Sequence, residues 1–213
     1  MVMRSNLADI NPSPALLKRM ESLQFELRNV CTKDASFSDL LIAHVEATIA
    51  LPNRCKKGFI DGDDFSCLFV DALVQCGISP GKIKTEVRCK KYQAEIDILV
   101  AGQTYGAVAF HLKTSARERW RQAERDCVYF NSPLTKALEL ALGDEAANYH
   151  REAVRHYVVM VREYKHTTPE EARQFCKRKQ GSYAFLAGFH SIYEKAEMNK
   201  LVQELSCAYL LAS

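Results

Sequence analysis

The hydrophobic period of this chain changes once, near residue 82, and that change constrains its fold more than any other feature. Before it, apolar residues recur at helical spacing. Leu16, Leu17, Met20, Leu23 and Leu27 follow Ser13-Pro14, a pairing that suits a helix start. Residues 37–51 form a second helical stretch, with Ser38 as its cap and Leu41, Ile42, Val45 and Ile49 on one face. A third runs from Asp64 to Cys76 and is stopped by Gly77. From 82 onward the pattern alternates. "KIKTEVRCK", "AEIDILVA" and "YGAVAFHLK" predict three strands, and Gly102 and Gly106 bracket a turn that makes the last two a hairpin.

Helical spacing then returns. Ser115 and Glu118 match a capping box, and Ala116, Trp120, Ala123 and Cys127 lie on one apolar stripe, with Trp120 expected in the core. Another helix is predicted over 133–142, resuming around 144–153. "HYVVMVREY" reads as a buried strand, "PEEARQFCKRK" as a short helix opened by Pro169, and "SYAFLAGFHSIY" as a further strand. Residues 194–211 form a closing amphipathic helix. This order predicts an α/β protein: a central mixed sheet flanked by helices on both faces. The 213 residues hold no Pro/Gly/Ser-rich linker and no repeat, which predicts one domain. Its N-terminal helices cover about 1–77, and the sheet with its helices about 82–213.

No apolar run approaches the ~18 residues of a membrane span, and the polar N-terminus lacks a signal-peptide core. The eight cysteines show neither CxxC pairs nor Cys/His zinc spacing. They read as reduced, mostly buried thiols, Cys67 and Cys207 among them, in an intracellular protein. The net charge of +3 is too small to define a partner, but Arg and Lys cluster at 54–57, 88–91, 117–125 and 177–179. Such clusters either face a polyanion or form solvated surface.

Strand alternation puts Glu95 and Asp97 on one face, and His111 and Lys113 on one face of the next strand. If the hairpin aligns these faces, Asp97, His111 and Lys113 converge near the ends of two strands. A carboxylate and an imidazole can bind a divalent cation. A neighbouring lysine can position water or stabilise charge on a phosphate. These are parts for metal-assisted phosphodiester hydrolysis. The same residues also suit a cross-strand Asp97–Lys113 ion pair beside a half-buried His111.

Asp97, thirteen intervening residues and then His111-Leu112-Lys113 resemble the bipartite motif of the PD-(D/E)xK nuclease superfamily. "KTSARERWRQ", Lys113 to Gln122, is similar to the segment after the catalytic lysine in many type II restriction endonucleases. The resemblance implies a restriction-endonuclease-like fold and a sequence-specific, metal-dependent DNA endonuclease that leaves 5′-phosphate ends. It makes Asp97 the metal-binding acid and Lys113 the catalytic lysine, with Mg²⁺ as cofactor and Mn²⁺ as a substitute. It also implies double-stranded DNA as partner, a cytoplasmic protein of bacterial or archaeal type, and a monomer or homodimer. Two positions depart from the motif: Ile96 stands where proline is usual, and His111 where Glu or Asp is expected. The second removes a negative charge, which weakens Mg²⁺ binding unless another acid contributes.

Glu46, on the early helix beside Val45 and Ile49, is the first candidate for that acid, with a catalytic and metal-ligating role beside Asp97 and His111. Glu95, on the Asp97 face, is the second, with a DNA-contacting role as its alternative, and Glu86 is weaker. Arg117, Arg119, Arg121 and Arg125 are expected to contact DNA phosphates, and "RCKK" at 88–91 and "CKRK" at 176–179 extend that list. The alternatives are a repair, mismatch or junction nuclease of the same fold, a DNA-binding protein derived from a nuclease, and an α/β protein without nucleic acid. As a ligand, His111 would make activity fall as pH drops through ~6.5.

Overall fold

The computed structural model describes residues 12–27, 29–30, 35–51, 60–89, 94–101, 107–115, 155–162, 167–181 and 186–210. Helix α1 (Pro14–Glu26) starts as expected. The Ser13 side chain accepts the Leu16 N–H, and Pro14 brings a φ already suited to a helix. Helix α2 (Phe37–Ala50) is capped by Ser36 rather than Ser38. Ser36 has the extended backbone a cap needs, and its hydroxyl accepts the Asp39 N–H. Ser38 is buried inside the first turn. Its N–H bonds Asn199 Oδ1 at 2.9 Å, and its hydroxyl donates to the Lys195 carbonyl at 3.3 Å.

The buried stripe of α2 also differs from the expected one. It runs through Leu40, Leu41, His44, Val45 and Thr48, with Ile42 and Ile49 only partly buried. The cause is packing on two flanks, against α3 (Gly62–Gln75) on one and α5 (Lys195–Leu210) on the other. Helix α3 begins earlier than Asp64, at an Asp61 cap, and Gly77 ends it with φ of 92°, a conformation that favours glycine. Arg19 of α1 bonds Asp61 at 2.7 Å and Asp64 at 3.1 Å, fixing the two helices together.

Five strands follow one another across the sheet: β1 (Ile83–Cys89), β2 (Ala94–Ala101), β3 (Ala107–Ser115), β4 (Arg155–Arg162) and β5 (Gly188–Ser191). The first three pair antiparallel, and β3–β4 and β4–β5 pair parallel. The expected hairpin is therefore present. The return from β4 to β5 passes through α4 (Pro169–Lys179), started by a Thr168–Glu171 capping box. Of the strand expected in "SYAFLAGFHSIY", Gly188–Ser191 forms β5, and residues 182–185 lie outside the described residues. Ser115, expected as a helix cap, is the last residue of β3 and pairs with Arg162 of β4. The arginine helix, Trp120 and the helices of 133–153 lie outside the described residues.

The strands sort their side chains as alternation requires. Ile98, Val108, Phe110, Leu112, Val159 and Val161 face a core shared with α1, α2, α3 and α5. Phe69 of α3 centres that core, edge-on to Phe37 at 5.3 Å and tilted against Phe110 at 4.9 Å. On the opposite face, Phe175 and Cys176 of α4 pack on Val158, Met160 and Phe189. The result is an α/β fold with a five-stranded mixed sheet and, among the described residues, five helices distributed over both faces. No helix among these residues is long and apolar enough to cross a membrane. Cys67 and Cys176 are buried free thiols.

Phe69 is fully buried where α2, α3 and the sheet meet. Phe69→Ala is expected to destabilise the fold by about 3–5 kcal/mol, read as a shift of the urea midpoint. A loss well below that range would mean that this layer does not pack around Phe69.

Candidate functional site

The sheet forks at Asp97. Strands β2 and β3 pair from Ala101↔Ala107 to Ile98↔Phe110 and then separate. Beyond that point β2 stays with β1 as far as Ala94, and β3 stays with β4 as far as Ser115. The β1–β2 ladder is interrupted at the same place. The register passes from Thr85↔Ile98 to Val87↔Ile96, with Glu86 falling opposite Asp97. Glu86 has φ of 53°, a left-handed backbone uncommon for a residue with a side chain. Asp97 is thus the one residue of β2 paired on neither side.

Its side chain takes over what the departing strand gives up. Asp97 Oδ2 accepts the Leu112 N–H at 2.7 Å and lies 3.3 Å from Lys113 Nζ. The first bond satisfies a strand N–H that has lost its ladder partner, and the carboxylate's charge strengthens it. The second sets a cation against the same oxygen. Both side chains reach solvent, Asp97 at 25% and Lys113 at 17% exposure, so a ligand can approach. Asp97 Oδ1 accepts no hydrogen bond from a described residue. One oxygen is anchored, and the other is left for a cation or a water.

His111 shares the expected face but is not half-buried: it is 1% exposed. Its Nε2 lies 2.9 Å from Nδ1 of His156 on β4, with the rings stacked 18° from parallel. Burial, and secondarily the Lys113 cation, push the His111 pKa down to about 3. Burial, and secondarily His111, push His156 well below the usual histidine value. Both rings are therefore neutral at physiological pH. The protonation near pH 6.5 on which the expected pH dependence rested is not available to His111. His156 is a site residue that sequence reading missed. Only its place in a buried strand next to the motif strand could have marked it.

The other candidates are placed as follows. Glu95 is half-buried on the Asp97 face, opposite Arg88 in the β1–β2 ladder. Continuing the β2–β3 register past the fork sets it opposite Lys113. Glu46 is exposed on α2, within the helical layer on the other side of the sheet. It acts on Tyr193, whose hydroxyl is raised chiefly by burial, lowered by Arg162 and raised again by Glu46. No hydrogen bond or ion pair joins Glu46 to Asp97, His111 or Lys113. Arg117, Arg119, Arg121 and Arg125 lie outside the described residues. Lys177, Arg178 and Lys179 form the last turn of α4, which runs back from the end of β4 toward its start. Lys113 pairs near the end of β4, so this basic turn is directed away from it.

Among the described residues no three His, Cys, Asp or Glu side chains stand together so as to hold a metal ion. The expected trio of Asp97, His111 and Glu46 is not assembled. Asp97 fits a cation through Oδ1, and His111 has only Nδ1 left to offer. Mg²⁺ keeps several waters and commonly takes one or two carboxylates together with substrate phosphate oxygens. Asp97 meets that minimum. No protein-family model, curated protein or solved structure matches this chain.

Two outcomes follow for stability. Asp97→Ala leaves the Leu112 N–H without its acceptor and is expected to cost about 1–3 kcal/mol, whereas Asp97→Asn keeps an oxygen there and costs less. Equal losses in urea unfolding would show that the oxygen is not what holds the fork. The histidines set an acid limit. Folded, they stay neutral; unfolded, they take up protons below about 6.5, the ordinary value. Stability is complete above that pH and falls, by up to about 1.4 kcal/mol per pH unit for each histidine, as pH drops toward 3. Urea midpoints across this window should show the slope, and a His111→Leu/His156→Leu double variant should flatten it. An equal slope in the double variant would rule out these rings as its source.

Proposed function

We propose that this protein is a metal-dependent DNA endonuclease of the PD-(D/E)xK nuclease superfamily, acting as a sequence-specific type II restriction enzyme. The observation that carries the reading is the Asp97–Lys113 contact in the fork between β2 and β3. The motif pairs an acid on one strand with a lysine on the next. Here they meet with one carboxylate oxygen free and both groups open to solvent. The five-stranded mixed sheet with helices on both faces is compatible with a restriction-endonuclease-like fold.

Each residue then has a role. Asp97 would hold the cation, with its Oδ2 kept in place by the Leu112 N–H. Mg²⁺, when bound, supplies positive charge against the charge that builds on the scissile phosphate. Lys113, held by Asp97 beside that phosphate, orients the attacking water and stabilises the same charge. The products carry 5′-phosphate and 3′-hydroxyl ends. Arg117, Arg119, Arg121 and Arg125, which follow β3 directly, contact backbone phosphates and set the register of the duplex. Glu95 contacts DNA or completes the acidic side of the fork.

A second reading is a DNA-binding protein descended from such a nuclease. It is favoured by the His111–His156 bond and by the lack of a three-donor group among the described residues. Incubation with plasmid and phage DNA separates the two. Under the first reading, discrete fragments appear with Mg²⁺ and at least as well with Mn²⁺, since imidazole suits transition metals. EDTA abolishes them, and Lys113→Met slows cleavage by at least about 10²-fold. DNA binding that weakens with salt, without cleavage by any metal, would leave the second reading standing.

A further inference from the structure

We propose that His44 and Asp71 form a latch between α2 and α3 that closes when the His44 ring takes up a proton.

Asp71 is a hub of the helical layer. It is buried in α3, and its Oδ1 accepts a bond from Gln24 Nε2 of α1 at 2.9 Å. Its Oδ2 accepts one from Gln75 Nε2, a turn further along α3, at 2.6 Å. An ionised carboxylate has about four acceptor positions on its two oxygens, so these bonds leave capacity for another. His44 of α2 is the group that faces it. Its Nδ1 lies 4.0 Å from Asp71 Oδ2 and is buried without a hydrogen-bond partner. That gap is too long for a hydrogen bond, whose N···O distance is about 2.7–3.2 Å.

A buried nitrogen without a partner, beside a carboxylate with acceptor capacity to spare, is an unfinished contact. A neutral ring has little reason to finish it. Its N–H gains little by moving toward Asp71, and an unprotonated Nδ1 is repelled by the carboxylate. A protonated ring brings a donor and a positive charge together, and charge-assisted bonds are shorter and stronger than neutral ones. Protonation therefore draws the ring onto Asp71, and one carboxylate then holds side chains of α1, α2 and α3.

The groups around the ring set where this happens. Burial holds the His44 pKa below the usual histidine value, and Asp71 offsets part of that. The ring is thus neutral at physiological pH, and the latch closes only in acid. Among the described residues Asp71 is the one charged group that acts on the ring. From α5, Lys195 pairs with Asp39 in the first turn of α2. From α1, Arg19 pairs with Asp61 and Asp64 at the start of α3, and Gln24 is neutral. Because the folded value lies below the ordinary one, folding resists the proton as pH falls, and closing the latch offsets part of that resistance.

The test is a histidine NMR titration of the full-length protein from neutral to acid pH, with the His44 ring assigned through its own backbone. Expected are a midpoint below the ordinary histidine value and an Nδ1 proton that becomes slow to exchange as the ring titrates. The amides of α2 and α3 should keep their protection across the transition. Asp71→Asn removes the charge while keeping an oxygen. It should lower the midpoint by about 1 pH unit or more and return the Nδ1 proton to fast exchange. An unchanged midpoint in that variant would overturn the proposal. So would an Nδ1 proton that stays in fast exchange in the unmodified protein. Loss of α2 protection as His44 titrates would overturn it too, since the charged ring would then be leaving the interior rather than closing on Asp71. If the Asn variant does not fold, the Nδ1 proton and the amide protection of the unmodified protein decide.

Discussion

The carboxylate of Asp97 holds the forked sheet together. An antiparallel pair that separates leaves backbone donors without acceptors, and a buried N–H without a partner costs about 1–3 kcal/mol. Asp97 removes that cost by bonding the Leu112 N–H, so β3 can continue alongside β4 while β2 turns away with β1. The same oxygen carries Lys113. Structure and candidate chemistry therefore share one atom. A residue that served chemistry alone could sit on any rim of the sheet; this one sits where the sheet needs an acceptor in order to open.

The electrostatics around the fork follow from what replaces the missing acid. A second carboxylate beside Asp97 would add repulsion that only a cation could relieve. The histidine adds none. Its ring is neutral, buried and satisfied by a second neutral ring, so it avoids the cost of an unpaired buried charge. The ion pair of Asp97 and Lys113 is then balanced without metal. That is consistent with a fork that keeps its shape when empty and, on the proposed reading, with a weaker hold on Mg²⁺ than two carboxylates give.

Much of this architecture was legible in the chain. The switch from helical to alternating spacing located the hairpin, and alternation placed Asp97, His111 and Lys113 on one face. The cross-strand ion pair of Asp97 and Lys113 that alternation also suited is present, beside a His111 that is buried rather than half-buried. Three things were not legible. Ser36, not Ser38, caps α2, because either serine suits a cap locally and the choice falls to α5, whose Lys195 and Asn199 engage Ser38. His44 and Thr48 join the buried stripe of α2 because a helix packed on two flanks buries more than its apolar residues. His156 is separated from His111 by a long crossover, and a parallel register between two strands leaves no local trace in sequence.

What the chain does against local preference is concentrated in one place. Glu86 has a left-handed backbone, Asp97 is unpaired within a strand, and two histidines are buried against each other. All lie on neighbouring positions of β1 to β4, while the core around Phe69 on the other face follows ordinary rules of apolar packing. Strain of this kind costs roughly 1–3 kcal/mol per residue and persists only where the surroundings enforce it. Such departures gather at functional sites more often than in scaffolds. Their grouping sets the fork apart from the core around Phe69, independently of the motif that first drew attention to Asp97 and Lys113.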